Sequence, residues 1–329
     1  MLYNTDTMGI CHSRGYGSTT GRIAYALRGF GVAAALVMAA AGAPPIAAAP
    51  VLPAPRAEVL ALAAGPEAPP AAELLAAAIL FSGADAARAA AAEAVGLGAI
   101  AEAEALAASA SGEYGLGAAL LSAMHARLSD YRLTESRLDR ALIEGQYNCV
   151  GSSTLYAILA SAAGLRVRGV LLDDHAYGYL ETAGGRVDVE TTAAGGYDAR
   201  KGDPPAGAAD VSVRGVVALA LRNRATMYER SGLWDAALAL AVDAYAYAPD
   251  PSSFSTLIGR INNAATYRMR KGAYGEALDL AEAARSAYGP DRRLDDIRRA
   301  AALAAATEAL RVADADEALA IADRAAADG

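Results

Sequence analysis

Apolar positions along this chain fall into three successive rhythms. From residue 71 to 143 they recur at helical spacing. Leu74, Leu75, Ile79 and Leu80 share one stripe, and Leu116, Leu120, Leu121, Met124 and Leu128 share another. Helices are expected there, interrupted at Gly96-Leu97-Gly98 and Ser111-Gly112. Ala86 to Ala108 is so rich in alanine that its helix has no sharp ends. Thr134 to Asp139 offers another helix start, which Gly145 stops.

The rhythm then shortens to alternation. Val167 to Leu172 is short and β-branched and predicts a strand. Ala176 to Leu180 and Arg186 to Glu190 alternate as two strands around Glu181–Gly185. Past a loop at Arg200 to Pro205 the helical spacing returns, now as a repeat. Gly232-Leu-Trp-Asp-Ala-Ala-Leu is echoed by Gly272-Ala-Tyr-Gly-Glu-Ala-Leu, and more weakly by Ala313-Asp-Ala-Asp-Glu-Ala-Leu. Small residues at these intervals let antiparallel helices approach closely. Trp234, Tyr245 and Tyr247 are read as packing groups between them.

Composition narrows the possible roles. The chain is 54% hydrophobic but only 6% aromatic, so its cores are built from Leu, Val, Ile and Ala. A net charge of −8 argues against nucleic acid or an anionic membrane surface as the main partner. Residues 1–42 place Arg14, Arg22 and Arg28 before an uncharged run, Gly29 to Ala41, that ends in small residues. That order predicts a signal peptide, with an uncleaved N-terminal membrane anchor as the alternative. The expected location is outside the cytoplasm, in the periplasm or cell envelope. Membrane contact is expected only through that segment if it is retained. Residues 43–70 are rich in Pro and Ala and are expected to be a linker, with room for at most two or three helical turns at Arg56 to Ala64, where Val59, Leu60 and Leu62 offer packing groups.

Of the two cysteines, Cys11 would leave with the leader, so Cys149 is the thiol of the mature chain. Asn148 and Ser152 to Thr154 bracket a helix start, Leu155, Ile158, Leu159 and Ala162 form its buried face, and Gly164 ends it. Cys149 therefore stands in a first turn, where unpaired N–H groups and the helix dipole favour an anion and can donate to a developing oxyanion. Gln146 is a candidate second donor. Downstream, Asp173-Asp174 turns the chain into His175, and Asp188 and Glu190 follow. Thiol, imidazole and carboxylate make a nucleophile, a base and an orienter.

Hairpin register decides which acid serves. A loop centred between Thr182 and Ala183 sets His175 across from Glu190, whereas a tight turn on Gly184-Gly185 sets Tyr179 there instead. His125 has no acid or thiol motif beside it and is read as a structural or surface histidine. Three histidines and one mature cysteine provide no ligand cluster, so no metal or cofactor is expected.

Ser136-Arg-Leu-Asp-Arg-Ala-Leu, Gly145, Asn148-Cys149-Val150, Leu155-Tyr156, Gly164-Leu165, Asp174-His175 and Val189-Glu-Thr-Thr192 together resemble the transglutaminase-like superfamily. Within it they are most similar to the version often joined to tetratricopeptide repeats. The resemblance spans roughly 130 to 196 and implies a papain-like α+β domain, with Cys149 as nucleophile and His175 as base. In that superfamily the acid usually stands in Asp-Pro-Thr. Here the slot reads Glu190-Thr191-Thr192, so Glu190 inherits the role and Asp188 is the alternate.

The later repeats resemble tetratricopeptide repeats, whose period is about 34 residues. Gly232 and Gly272 are 40 apart, so either the link at Pro251 to Phe254 or the helices must be longer than usual. The expected organisation is a transglutaminase-like domain over 71–212 and an all-α repeat array over 213–329. The expected function is an exported thiol enzyme acting on an amide or peptide bond, with the repeats binding a peptide or protein partner. The alternative is a catalytically silent scaffold of the same fold.

Overall fold

A computed structural model describes residues 51–200, 202–312 and 314–326. The expected leader, 1–42, and the first residues of the expected linker lie outside them. Four helices come first: α1 (Ala57–Ala63), α2 (Ala71–Ser82), α3 (Ala86–Ser109) and α4 (Glu113–His125). Next are β1 (Asp130–Tyr131), α5 (Leu138–Glu144), β2 (Gln146–Tyr147), α6 (Cys149–Ala162), β3 (Arg166–Leu171), β4 (Ala176–Thr182), β5 (Gly185–Val189) and β6 (Ala209–Val211). Six helices follow: α7 (Val213–Arg230), α8 (Trp234–Tyr247), α9 (Pro251–Arg270), α10 (Tyr274–Tyr288), α11 (Arg292–Arg311) and α12 (Ala315–Ala326). The fold is α+β and mainly helical, with one four-stranded antiparallel sheet in the order β5-β4-β3-β6. β1 and β2 form a separate short parallel pair.

The first core is built around α6. Val150 through Ala160 are all buried, because this helix is apolar or small on every side. β3 and β4 cover one side of α6, and α2, α3, α4, α5 and α7 surround the rest. Its hydroxyls find internal partners, as burial requires. Tyr156 Oη donates to the Gly117 carbonyl at 3.1 Å, tying α6 to α4. Asp139, fully buried on α5, is held by Arg137 at 2.8 Å and by a short contact from Arg88 on α3. This fixes α5, and through the left-handed Gly145 (φ 68°) it aims the loop that leads into Cys149.

The expected break at Gly96–Gly98 does not occur, since α3 runs unbroken through both glycines. At Gly96 the missing side chain makes room for a neighbour: a Cβ there would lie 2.7 Å from Leu75 Cδ2. Within the stretch expected to be a linker, the helical turns allowed between the proline clusters form at 57–63, and they dock on the fold instead of linking to it. Val59 is buried, and Arg56 Nε lies 2.5 Å from Asp243 Oδ2 on α8. β6 has no counterpart among the sequence expectations. It is too short for alternation to register, and pairing with β3 is what defines it.

Each of α7 to α12 packs on the next. Gly232 and Gly272 occupy the left-handed position (φ 76° at both) at the α7–α8 and α9–α10 turns. The 40-residue spacing comes from a long second helix, with 14 residues in α8 and 20 in α9. Pro251 to Phe254 is not a link but the first turn of α9. Asp250 caps it by accepting from Ser253 N at 2.8 Å. Leu238, Val242, Leu257, Ile261, Leu278, Leu280 and Leu294 make this region's own core. Val216 to Leu221 of α7 join the core of α6 instead, while α7 also packs on α8 and so connects the two regions.

Candidate active site

Cys149 is half-buried at the first position of α6, and among the described residues it is a free thiol. Asn148 caps the helix, its Oδ1 accepting from Val150 N at 2.9 Å and Gly151 N at 3.1 Å. Two of the donors expected to face an oxyanion are thereby occupied. The first-turn donor that Asn148 does not take is the N–H of Cys149 itself. Gln146 does not serve as a second donor. With its amide oriented to suit its neighbours, it donates to Glu144 Oε2 at 3.3 Å and accepts from Arg132 Nη2 at 3.1 Å.

His175 follows the Asp173–Asp174 turn between β3 and β4. This turn is closed by Leu172 N donating to the His175 carbonyl at 2.8 Å, with Leu171 opposite Ala176. The β4–β5 hairpin turns on Ala183 and Gly184, a register midway between the two considered from sequence. It pairs Tyr179 with Asp188 and Gly178 with Val189, and the ladder ends there. Released from the ladder, Glu190 reaches back and its Oε2 lies 2.8 Å from His175 Nε2. Asp188 is turned elsewhere, buried against Arg186 Nε at 2.5 Å. The structure therefore brings Cys149, His175 and Glu190 together and leaves Asp188 out.

The charges follow from these contacts. A hydrogen bond with Cys149, joined by the one to Glu190, raises the His175 pKa to about 9 against the opposing effect of burial. Since Glu190 occupies Nε2, Nδ1 is the nitrogen left for the thiol. Burial pushes the Glu190 carboxyl up. Hydrogen bonds from His175 and Thr192, with Arg200 adding to them, outweigh burial and hold its pKa to about 2. Glu190 Oε1 accepts from Thr192 Oγ1 at 2.7 Å, and Oε2 also accepts from Arg200 Nη2 at 3.0 Å.

Several groups that position the site escaped the sequence reading. Thr191 is fully buried, and its hydroxyl joins those of Ser152 (3.0 Å) and Ser153 (2.8 Å) in the first turns of α6. The Thr191 carbonyl accepts from His125 Nε2 at 3.0 Å. His125 is thus structural, as its sequence context suggested, but the structure it supports is the acid's loop. Burial lowers its pKa, which keeps the ring neutral. Gly196 passes close behind: Glu190 N donates to its carbonyl at 2.9 Å, and a Cβ there would overlap the Glu190 carbonyl oxygen. Arg200 also lies over the Tyr177 ring, 4.5 Å from its centroid. The one signal available was the Ser-Ser-Thr and Thr-Thr pairs flanking the motif residues.

Cys149 and His175 open into a cleft of about 520 Å³. One side is formed by Leu133, Thr134 and the β3–β4 turn, and the other by α7 and α9. Among the described residues, no three metal-ligating side chains cluster. None of their helices is long and apolar enough to cross a membrane. Compared with protein-family models, curated proteins and solved structures, the chain matches none of them.

Proposed function

We propose that this protein is a thiol-dependent acyl-transfer enzyme of transglutaminase-like type, acting on an amide or peptide bond. In this reading the Cys149 region and its sheet are a papain-like domain, and α7 to α12 are a tetratricopeptide-type array that binds a peptide or protein. The observation that carries it is the imidazole of His175, held through Nε2 by Glu190 at 2.8 Å and lining one cleft with Cys149 at a helix start.

The chemistry follows from that order. Cys149 Sγ attacks the carbonyl carbon while His175 accepts the thiol proton. The oxyanion forms against the Cys149 N–H. Collapse breaks the C–N bond, His175 delivers the proton to the leaving amine, and an S-acyl enzyme remains. Water or a second amine then attacks that carbonyl and gives a proton to His175, and the S–C bond breaks to restore the thiol. Glu190 stabilises the imidazolium formed in each half and keeps the ring from turning. Export to the periplasm or cell envelope accompanies this reading through residues 1–42, which lie outside the described residues.

The test is to trap the intermediate. Mixing the protein with an activated acyl ester and measuring intact mass under acid quench should show one acyl group on Cys149. The adduct should be lost in Cys149→Ala and form slowly in His175→Ala. Acylation at the same rate in His175→Ala would favour a silent scaffold carrying an ordinary thiol.

A further inference from the structure

The face that α7 turns to Cys149 carries unneutralised positive charge. Arg222, Asn223, Thr226 and Arg230 lie along one side of α7 and line the cleft, joined by Thr256 and Arg260 of α9. Arg260 is already committed: it pairs with Glu229 through a short contact and donates to Thr226 Oγ1 at 2.7 Å. Asn263 takes the other Glu229 oxygen at 3.1 Å, which leaves that carboxylate fully used.

Arg222 is different. It is half-buried, its Nη1 donates to Ser252 Oγ at 3.1 Å, and no carboxylate among the described residues lies within ion-pair distance. Burial works against its charge; Asp250 attracts it from further off and Arg260 repels it. Arg230 is exposed, and among the described residues it has no ion-pair or hydrogen-bond partner. The cleft's free acids, Asp173 and Asp174, are exposed on the β3–β4 turn opposite α7. Arg230 also lines a second cavity, of about 350 Å³, with Trp234, Asn263, Tyr267 and Arg270. There the Trp234 and Tyr267 rings stack, 5.4 Å apart and 25° from parallel. A chain lying along α7 and α9 would meet an aromatic shelf, then two guanidinium groups that lack a carboxylate partner, then the thiol.

We propose that the acyl donor is a peptide bearing a carboxylate, which Arg222 and Arg230 hold while its scissile carbonyl lies at Cys149. This rests on the thiol acyl-transfer reading and adds the substrate class. Guanidinium groups suit a carboxylate because they present paired donors in its plane. A peptide C-terminus and an acidic side chain both supply such a carboxylate, and the two sources are separable.

Two alkylating agents of the same size test the charge. Iodoacetate and iodoacetamide share a leaving group and differ by one carboxylate. Site-resolved mass spectrometry gives each rate at Cys149. The iodoacetate-to-iodoacetamide ratio should exceed that of glutathione by roughly three- to tenfold and shrink as salt is added. Arg222→Gln and Arg230→Gln should each bring the ratio back toward the glutathione value. Arg230 is exposed, so its variant keeps the test open if Arg222→Gln fails to fold. A ratio no higher than that of glutathione, unmoved by Arg230→Gln, overturns the proposal. The ratio is defined however slow the thiol, so a sluggish Cys149 counts against the enzyme reading alone.

The source is then read by protection of Cys149 from iodoacetamide with alanine-based hexapeptides. Protection by the free C-terminal acid and not its amide assigns the terminus. Protection by an internal Glu peptide and not its Gln counterpart assigns the side chain. Failure of every acidic peptide to protect better than its neutral twin overturns the proposal.

Discussion

Replacing Glu190 by Gln keeps the side chain's size and an oxygen able to accept from His175 but removes the charge. The His175 pKa stands at about 9 against an ordinary 6.5; the hydrogen bond with Cys149 is the largest cause of that rise, followed by the one with Glu190, whose charge adds to it. At about 1.4 kcal/mol per pH unit, the whole rise corresponds to on the order of 3 kcal/mol, shared between the two partners. The His175 side chain is 24% exposed, and solvent screening reduces the Glu190 share to roughly 1–1.5 kcal/mol. Glu190→Gln should therefore lower the His175 pKa by about one pH unit. The value should stay above 6.5 because Cys149 remains. Nitrogen-15 imidazole titration by NMR reads this directly, with His125→Gln used to assign the resonances.

The same pair makes stability depend on pH. A raised imidazole pKa stabilises the fold fully below 6.5, and that contribution fades as pH rises through about 9. A depressed carboxyl pKa stabilises it above 4.5, and that contribution fades as pH falls toward about 2. The stability difference between wild type and Glu190→Gln should be largest near pH 5–6.5 and smaller by pH 10, where the His175 charge is lost and the Thr192 and Arg200 contacts remain, as followed by urea unfolding. An unchanged His175 pKa in Glu190→Gln would refute the reasoning. A fall all the way to the ordinary value would refute it too, since Cys149 would then contribute nothing.

Two other variants probe how the acid is held. Thr191→Val removes the hydroxyl shared by Ser152 and Ser153 and should cost about 1–2 kcal/mol in urea unfolding; no change would show that the contact is idle. Gly196→Ala puts a methyl group onto the Glu190 carbonyl, so the loop must shift at a cost of roughly 1–3 kcal/mol. The His175 pKa should fall with it, and an unmoved titration would show that the loop yields without disturbing the pair.

The elements that read most clearly from sequence are those where one residue type settles the local geometry. Asn148 and Gly164 bound α6 because capping and left-handed backbone each favour few side chains. Asp173–Asp174 likewise marks the turn into His175. Features set by distant partners were not legible. Gly96 looked like a helix break because its reason, the approach of Leu75, lies on another helix. The β4–β5 register missed both expectations because a two-residue shift keeps each side chain on its own face, so alternation cannot choose between them. Arg200 looked like a loop residue and His125 like an isolated one, and both gain their place from Glu190 and its neighbours. Arg222 and Arg230 carry no signal of their own, since nothing in their stretch says that this side of α7 faces the cysteine.

The central claim is that His175 makes Cys149 a nucleophile. The rate of Cys149 alkylation by iodoacetamide at pH 7, compared between wild type and His175→Ala, tests it most directly. The wild-type thiol should react about tenfold faster than glutathione, and His175→Ala should return it to the glutathione rate or below. A wild-type Cys149 no faster than glutathione and indifferent to His175→Ala would contradict the account.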